Sequence, residues 1–217
     1  MTPVQIKICG VTNVKDATAC AELGVSMIGL NFYPQSPRYI APNVARSIVE
    51  AMPPRVLGVG VFVDAGVEDI RVNAKTAGLR CVQLHGSISP DTCRELAREF
   101  RVIRAFSMNR QFQPEEVSSF GDCDVLVDAD HPKLRGGTGL TCDWQVARAT
   151  RSFARFLILS GGLTAQNVDH AIATVAPHAV DVCSGVESAP GSKDHRALKG
   201  FVTAVRKANS STNAFAS

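Results

Sequence analysis

A single closed (β/α)8 barrel of the TIM type is the α/β fold class this sequence predicts, with a phosphate-binding site at the ends of its seventh and eighth strands. Three observations predict it. Short apolar, β-branched runs recur eight times. Stretches with apolar residues at helical spacing lie between them. The runs begin about 25 residues apart, the spacing of repeated strand-helix units.

In chain order the strand candidates are VQIKIC (4–9), SMIGLNF (26–32), RVLGVGVFV (55–63), RCVQLH (80–85), RVIRAF (101–106), DVLVD (124–128), RFLILS (155–160) and AVDVCS (179–184). Helical spacing shows in Ala17, Ala21 and Leu23, and again in Val168, Ala171, Ile172 and Val175. Asn13, Pro42, Val67, Ser89 and Thr164 mark helix starts, with Ser89 and Thr164 suited to capping. Gly24 and Gly78 mark helix ends. Strand-helix alternation gives right-handed units and a parallel sheet. Eight such units favour closure, although the chain is near the short end of the barrel range. An open doubly wound sheet would usually carry a glycine-rich GxGxxG turn after its first strand, whereas this turn reads CGVTN. The barrel is expected over residues 1–207. The Ala-, Ser-, Asn- and Thr-rich residues 208–217 are expected to form a disordered C-terminal tail.

Composition narrows the function classes. A chain of 217 residues fits one domain with a full core. Its net charge of +3, without a Lys/Arg cluster, gives no case for nucleic acid but suits an anionic small molecule. No apolar run approaches the roughly 20 residues of a membrane span, and no signal peptide is expected before the strand at Val4. The seven cysteines, Cys9, Cys20, Cys81, Cys93, Cys123, Cys142 and Cys183, are scattered and lack CxxC spacing. This disfavours a disulfide framework or zinc site and fits a reducing cytoplasm.

A parallel barrel places its active site at the carboxyl ends of the strands. Polar residues there are Cys9, Asn31, Asp64, His85, Ser107, Asp128, Ser160 and Asp181. Alternation along the first strand turns Ile6 and Ile8 toward the helices and Lys7 and Cys9 toward the axis. Lys7, on the same face as Cys9, is expected to favour the thiolate. An isolated cysteine is usually an inert core residue. Its strand-end position and lysine neighbour make Cys9 a candidate base. Asp128 ends an apolar strand, where partial desolvation suits a carboxyl group to donating a proton. An aspartate there also commonly caps a loop.

Gly161 and Gly162 follow the seventh strand, and Ser184 and Gly185 follow the eighth. Together they form a candidate phosphate site built on backbone N–H groups. Gly136-Gly137-Thr138-Gly139 is a further flexible segment with the pattern of a lid. Arg38 suits a carboxylate partner. His85 has no second ligand in register, so it is expected to line the substrate rather than hold a metal.

Taken together, KICGVTN (7–13), GLNFYPQSPRYI (29–40), GVFV (60–63), VQLHG (82–86), VLVD (125–128), GGTGLTCDW (136–144), LSGGLTAQNV (159–168) and VDVCSGVESAPGSKDH (180–195) resemble the phosphoribosylanthranilate isomerase family of tryptophan biosynthesis. The resemblance spans the chain from first strand to last helix. It implies a barrel without metal or cofactor that isomerises a phosphorylated small molecule, an aldose-ketose rearrangement. It implies that Cys9 is the general base, Asp128 the general acid, Arg38 a contact of the anthranilate carboxylate, and the two glycine loops the phosphate site. Asp181 is assigned to the substrate nitrogen or to a loop residue. Relatives occur as monomers and homodimers, and both remain open. Three positions depart from the usual family pattern: Cys183 stands where Ser is typical, Cys142 where Phe is typical, and Ser192 where Lys is frequent.

Other barrels fit less well. The histidine-pathway isomerase uses aspartates after strands one and five, where this chain has Cys9 and Phe106-Ser107. Neither the Lys and Glu arrangement of indole-glycerol-phosphate synthase nor the His and Asp set of a metal-dependent epimerase is evident. A non-catalytic phosphosugar-binding barrel would be expected to have lost the acid or base, and this chain keeps both.

Overall fold

A computed structural model describes residues 2–109, 111–128 and 144–214. Eight parallel strands close into a barrel in sequence order, each hydrogen-bonded to the next and β8 to β1. They are β1 (Gln5–Ile8), β2 (Met27–Asn31), β3 (Leu57–Val63), β4 (Cys81–His85), β5 (Arg101–Ser107), β6 (Asp124–Asp128), β7 (Leu157–Ser160) and β8 (Ala179–Val182). Most are a residue or two shorter than the apolar runs. Two shortenings matter: Cys9 lies one residue past β1, and Cys183-Ser184 lie past β8, so all three belong to the loops of the mouth.

The helices are α1 (Val14–Glu22), α2 (Pro42–Ala51), α3 (Val67–Thr76), α4 (Pro90–Leu96), α5 (Trp144–Thr150), α6 (Val168–Val175) and α7 (His195–Ala214). The β5-to-β6 connection carries a 3₁₀ helix, Pro114–Phe120, in place of an α-helix. Asn13 and Ser89 cap α1 and α4 by accepting from Asp16 N and Thr92 N. Thr164 behaves differently from expectation. Its hydroxyl serves the turn before α6, accepting from Gln166 N, and Asn167 precedes the helix. The last helix also differs, for α7 continues through the segment read as tail as far as Ala214. Asn209 is tied to the barrel floor, accepting from Val4 N at 2.9 Å and donating to Val4 O at 3.2 Å. Composition alone could not show that pairing across 205 residues of sequence.

The core has two parts. Between sheet and helices lie residues such as Ile8, Ile28, Leu30, Val82 and Phe201, all fully buried. Inside the barrel is a smaller apolar plug of Met27, Val59, Cys81, Ile103, Ala105, Leu126, Ile158 and Ala179. It fills the lower lumen, so only the mouth is left for polar groups. A two-stranded antiparallel hairpin, β9 (Glu187–Ala189) and β10 (Ser192–Lys193), follows β8. It is too short to give a periodic signal in the sequence, yet it delivers two charged residues to the site. Among the described residues, no helix is long and apolar enough to cross a membrane.

Candidate active site

The plug fixes what faces the mouth. Side chains alternate along a strand, so residues two steps beyond a plug residue share its face. From Leu126, Ile158, Ala179 and Cys81 this rule leads to Asp128, Ser160, Asp181 and Gln83. One further step leads from Gln83 to His85. On β1, Lys7 is in register with Met27 of the plug and with Asp181, and the next residue on its face is Cys9. Cys9, His85, Asp128, Ser160 and Asp181 are therefore gathered at the carboxyl end, as the sequence predicts. Asp128 is in register with Ser107 and Ser160. Between its strand and that of Cys9 stand only β7 and β8.

Lys7 is fully buried, and its Nζ lies 2.9 Å from Asp181 Oδ1. Burial works against its charge, but Asp181 and Cys9 outweigh it and raise the Lys7 pKa, so Lys7 stays an ammonium. Asp181 Oδ2 accepts from Ser160 Oγ at 3.2 Å. Asp181, assigned from the sequence to the substrate or a loop residue, thus has both oxygens engaged inside the barrel, where it holds Lys7. Removing it would strand a buried charge. Asp181→Ala is expected to lose about 3–5 kcal/mol of stability, measured by urea unfolding.

The Cys9 thiol is lowered to about 7. The largest cause is the neighbouring Cys183 thiol; burial opposes it, Lys7 helps, Asp181 opposes and Lys193 helps. Lys7 therefore contributes as the sequence suggests, but Cys183 contributes more. By contrast, burial pushes the core thiols of Cys20 and Cys81 up to about 12. Gly29 makes room for Cys9, since a Cβ there would lie 2.8 Å from Cys9 Sγ and 3.1 Å from its Cα. Gly29→Ala is expected to fold normally and, with Cys9 as the candidate base, to lower kcat by roughly tenfold or more, because a small displacement of a reacting group is costly. Steady-state kinetics beside an unchanged circular dichroism spectrum would check it.

His85 is pushed down to about 4, chiefly by burial and then by Lys7. It is neutral at pH 7, with Nε2 2.7 Å from Gln83 Nε2. A neutral imidazole is a polar lining group, not a ready acid. Arg38 lies on the loop after β2, which Asn31 shapes by accepting from Tyr33 N and donating to Ser36 Oγ. The Arg38 guanidinium grips Glu187, with Nε 2.9 and 3.1 Å from its two oxygens. Glu187 also accepts from Lys193 Nζ at 2.9 Å. Lys193 Nζ donates in turn to the carbonyls of Cys9 (2.6 Å) and Cys183 (3.4 Å). Burial disfavours the Glu187 carboxylate, but Arg38 and Lys193 hold its pKa below the ordinary value.

Glu187, Lys193 and Cys183 are the site residues the sequence reading did not assign. Their signal was weak, because they come from a short hairpin and from a segment read as glycine-loop turn. The loops after β7 and β8 touch: a Cβ on Gly185 would meet Leu163 O at 2.1 Å. Gly161 and Gly162 both have positive φ, +93° and +62°. Gly136–Gly139 and Cys142 lie outside the described residues. Among the described residues, no group of three His, Cys, Asp or Glu side chains is placed to hold a metal ion.

Acid–base chemistry at the carboxyl mouth of a parallel barrel is the class that this fold and site define. The family model for N-(5'-phosphoribosyl)anthranilate isomerase matches residues 6–204, and the chain belongs to that family. The N-(5'-phosphoribosyl)anthranilate isomerase of Thermotoga maritima is 43% identical over 199 residues, covering 92% of this chain and 97% of that one. The protein of the same name from Geobacter sulfurreducens is 41% identical over 199 residues, with the same coverage of 92% and 97%. A crystal structure of the Thermotoga maritima isomerase superposes with a TM-score of 0.87 at 42% identity, covering 94% of this chain and 99% of that one. A family structure in complex with reduced 1-(o-carboxyphenylamino)-1-deoxyribulose 5-phosphate gives a TM-score of 0.85 at 40% identity, covering 94% and 99%.

Proposed function

We propose that this barrel converts N-(5-phosphoribosyl)anthranilate to 1-(2-carboxyphenylamino)-1-deoxyribulose 5-phosphate, an Amadori rearrangement in which Asp128 is the acid and Cys9 the base. The observation that carries the reading is Cys9 itself, a thiol brought close to neutrality at the mouth of the barrel. A base poised near the working pH combines a useful deprotonated fraction with useful basicity.

Asp128 gives a proton to the furanose ring oxygen. The bond from that oxygen to C1′ breaks as the nitrogen lone pair forms an iminium. The Cys9 thiolate removes the C2′ proton, whose electrons form an enolamine and neutralise the iminium. The enolamine then loses its hydroxyl proton and gains one at C1′, giving the ketone, so no net proton is consumed. Each positioned transfer is worth on the order of 10²–10⁴-fold.

The substrate is held at both ends. Backbone groups of Gly161, Gly162, Ser184 and Gly185 take the phosphate. Glu187 occupies the Nε and Nη2 edge of Arg38, and the Nη1 edge is assigned to the anthranilate carboxylate. His85 lines the sugar. Asp181 positions Lys7, which keeps positive charge beside Cys9. No cofactor enters this scheme. The protein works in the cytoplasm, a reading supported by six described cysteines that are all free thiols. A family structure concerns monomers generated from the dimeric Thermotoga maritima isomerase, so monomer and homodimer are both compatible with this barrel.

The test is direct. Purified protein added to freshly made phosphoribosylanthranilate should quench the anthranilate fluorescence without added metal. Persistent fluorescence from folded protein would sink the reading.

A further inference from the structure

Cys183 stands beside Cys9, and nothing in the isomerisation needs that neighbour to be a second thiol. A hydroxyl there could serve as well. The two cysteines follow Ile8 and Val182, which are in register on adjacent strands. Cys9 N still donates to Val182 O at 2.9 Å. Neighbouring strands lie about 4.8 Å apart, inside the Cα separation of about 4.4–6.8 Å that a disulfide spans. Lys193 gathers both carbonyls onto one ammonium. Both residues are partly exposed at the mouth.

We propose that Cys9 and Cys183 are a reversible redox pair that closes to a disulfide when a hydroperoxide enters the mouth. The Cys9 thiolate attacks the near peroxide oxygen. A sulfur–oxygen bond forms, the oxygen–oxygen bond breaks, and the leaving oxygen departs as an alcohol or water after taking a proton. Sulfur loses two electrons and the peroxide gains them. The Cys183 sulfur, giving up its proton, then attacks the Cys9 sulfenic acid. A disulfide forms, and the hydroxide leaves as water with that proton.

The surroundings favour this order of events. Facing the pair are Lys7 and Asp181 from the strands, Lys193 and Glu187 from the hairpin, and Arg38 from the loop after β2. The Cys183 Sγ lies 3.9 Å from Glu187 Oε1. The Cys9 thiol and burial both raise the Cys183 pKa, so Cys183 keeps its proton while Cys9 is a thiolate. Oxidising Cys9 to a neutral sulfenic acid removes the first of these causes; burial and Glu187 still hold the Cys183 pKa up, and Lys193 draws it down. The chain offers its own comparison. Cys93 and Cys123 are likewise neighbouring thiols, but they are 0% and 5% exposed and shielded from an oxidant in water.

The effect on turnover rests on the proposed role of Cys9, whereas the disulfide rests on the placement of the two cysteines and the thiolate character of Cys9. The test treats reduced, full-length protein with hydrogen peroxide, blocks free thiols, and maps non-reduced peptides by mass. Turnover of each protein is compared with its own untreated rate. A Cys9–Cys183 linked peptide is expected, with turnover falling at least tenfold in step and returning with dithiothreitol. Cys93 and Cys123 should stay reduced. In Cys183→Ser, excess peroxide should carry Cys9 to the sulfinic acid, and dithiothreitol should not restore activity. Wild-type protein in which Cys9 is oxidised while Cys183 stays a free thiol would overturn the proposal, even if the variant failed to fold. A linked peptide with unchanged turnover would support the pair and overturn Cys9 as the base instead.

Discussion

Cys9→Ser is expected to lower kcat on the order of 10²–10⁴-fold while leaving affinity for a product analogue nearly unchanged. Serine fits the same space beside Gly29. It cannot carry a negative charge near pH 7, so the base is lost and the binding surface kept. The wild-type pH profile should show the same group. With the thiol at about 7, the proposed role of Cys9 as base makes the deprotonated form the active one. Thus kcat/KM should fall as pH drops below about 7, approaching tenfold per unit, and level off above it, until another group intervenes. That limb should disappear in the variant. If C2′ deprotonation becomes rate-limiting, substrate deuterated at C2′ should react more slowly with Cys9→Ser. Near-normal turnover of this variant would remove Cys9 from the mechanism.

Asp128→Asn should lower kcat by a similar factor, again on the order of 10²–10⁴-fold, for a different reason. The amide has nearly the same shape and can still donate a hydrogen bond to the ring oxygen. It has no acidic proton to transfer, so ring opening slows before C2′ is touched. Deuterium at C2′ should therefore have little effect on this variant. The isotope comparison separates the acid from the base even though both variants look equally inactive in a plain rate assay. A large isotope effect in Asp128→Asn would remove Asp128 from ring opening, because C2′ deprotonation would then still limit the rate.

Much of this molecule was legible before any coordinates. Eight apolar runs at regular spacing are a local signal, because strand burial and helix amphipathicity are written in near neighbours. The period of two then turned Lys7 and Cys9 toward the axis, and strand ends singled out Asp128 and His85. The boundaries were less legible. Cys9, Cys183 and Ser184 sit just past their strands because a ladder ends where partners end, which one run cannot show. Residues 208–214 looked like a polar tail, yet Asn209 meets Val4 and the helix continues.

The sequence by itself determined that Cys9 stands at a strand end with Lys7 on its face, and that glycines follow the last two strands. Only the tertiary structure decided what surrounds that thiol. Closure of the barrel sets β8 against β1 and so brings Cys183 and Asp181 to residues more than 170 positions away. The hairpin after β8 folds Lys193 and Glu187 over the same mouth. The acidity of Cys9 follows from charges and donors within a few ångströms, and electrostatic coupling depends on distance in space. Order along the chain can single out a candidate base, but contacts across the closed barrel tune it.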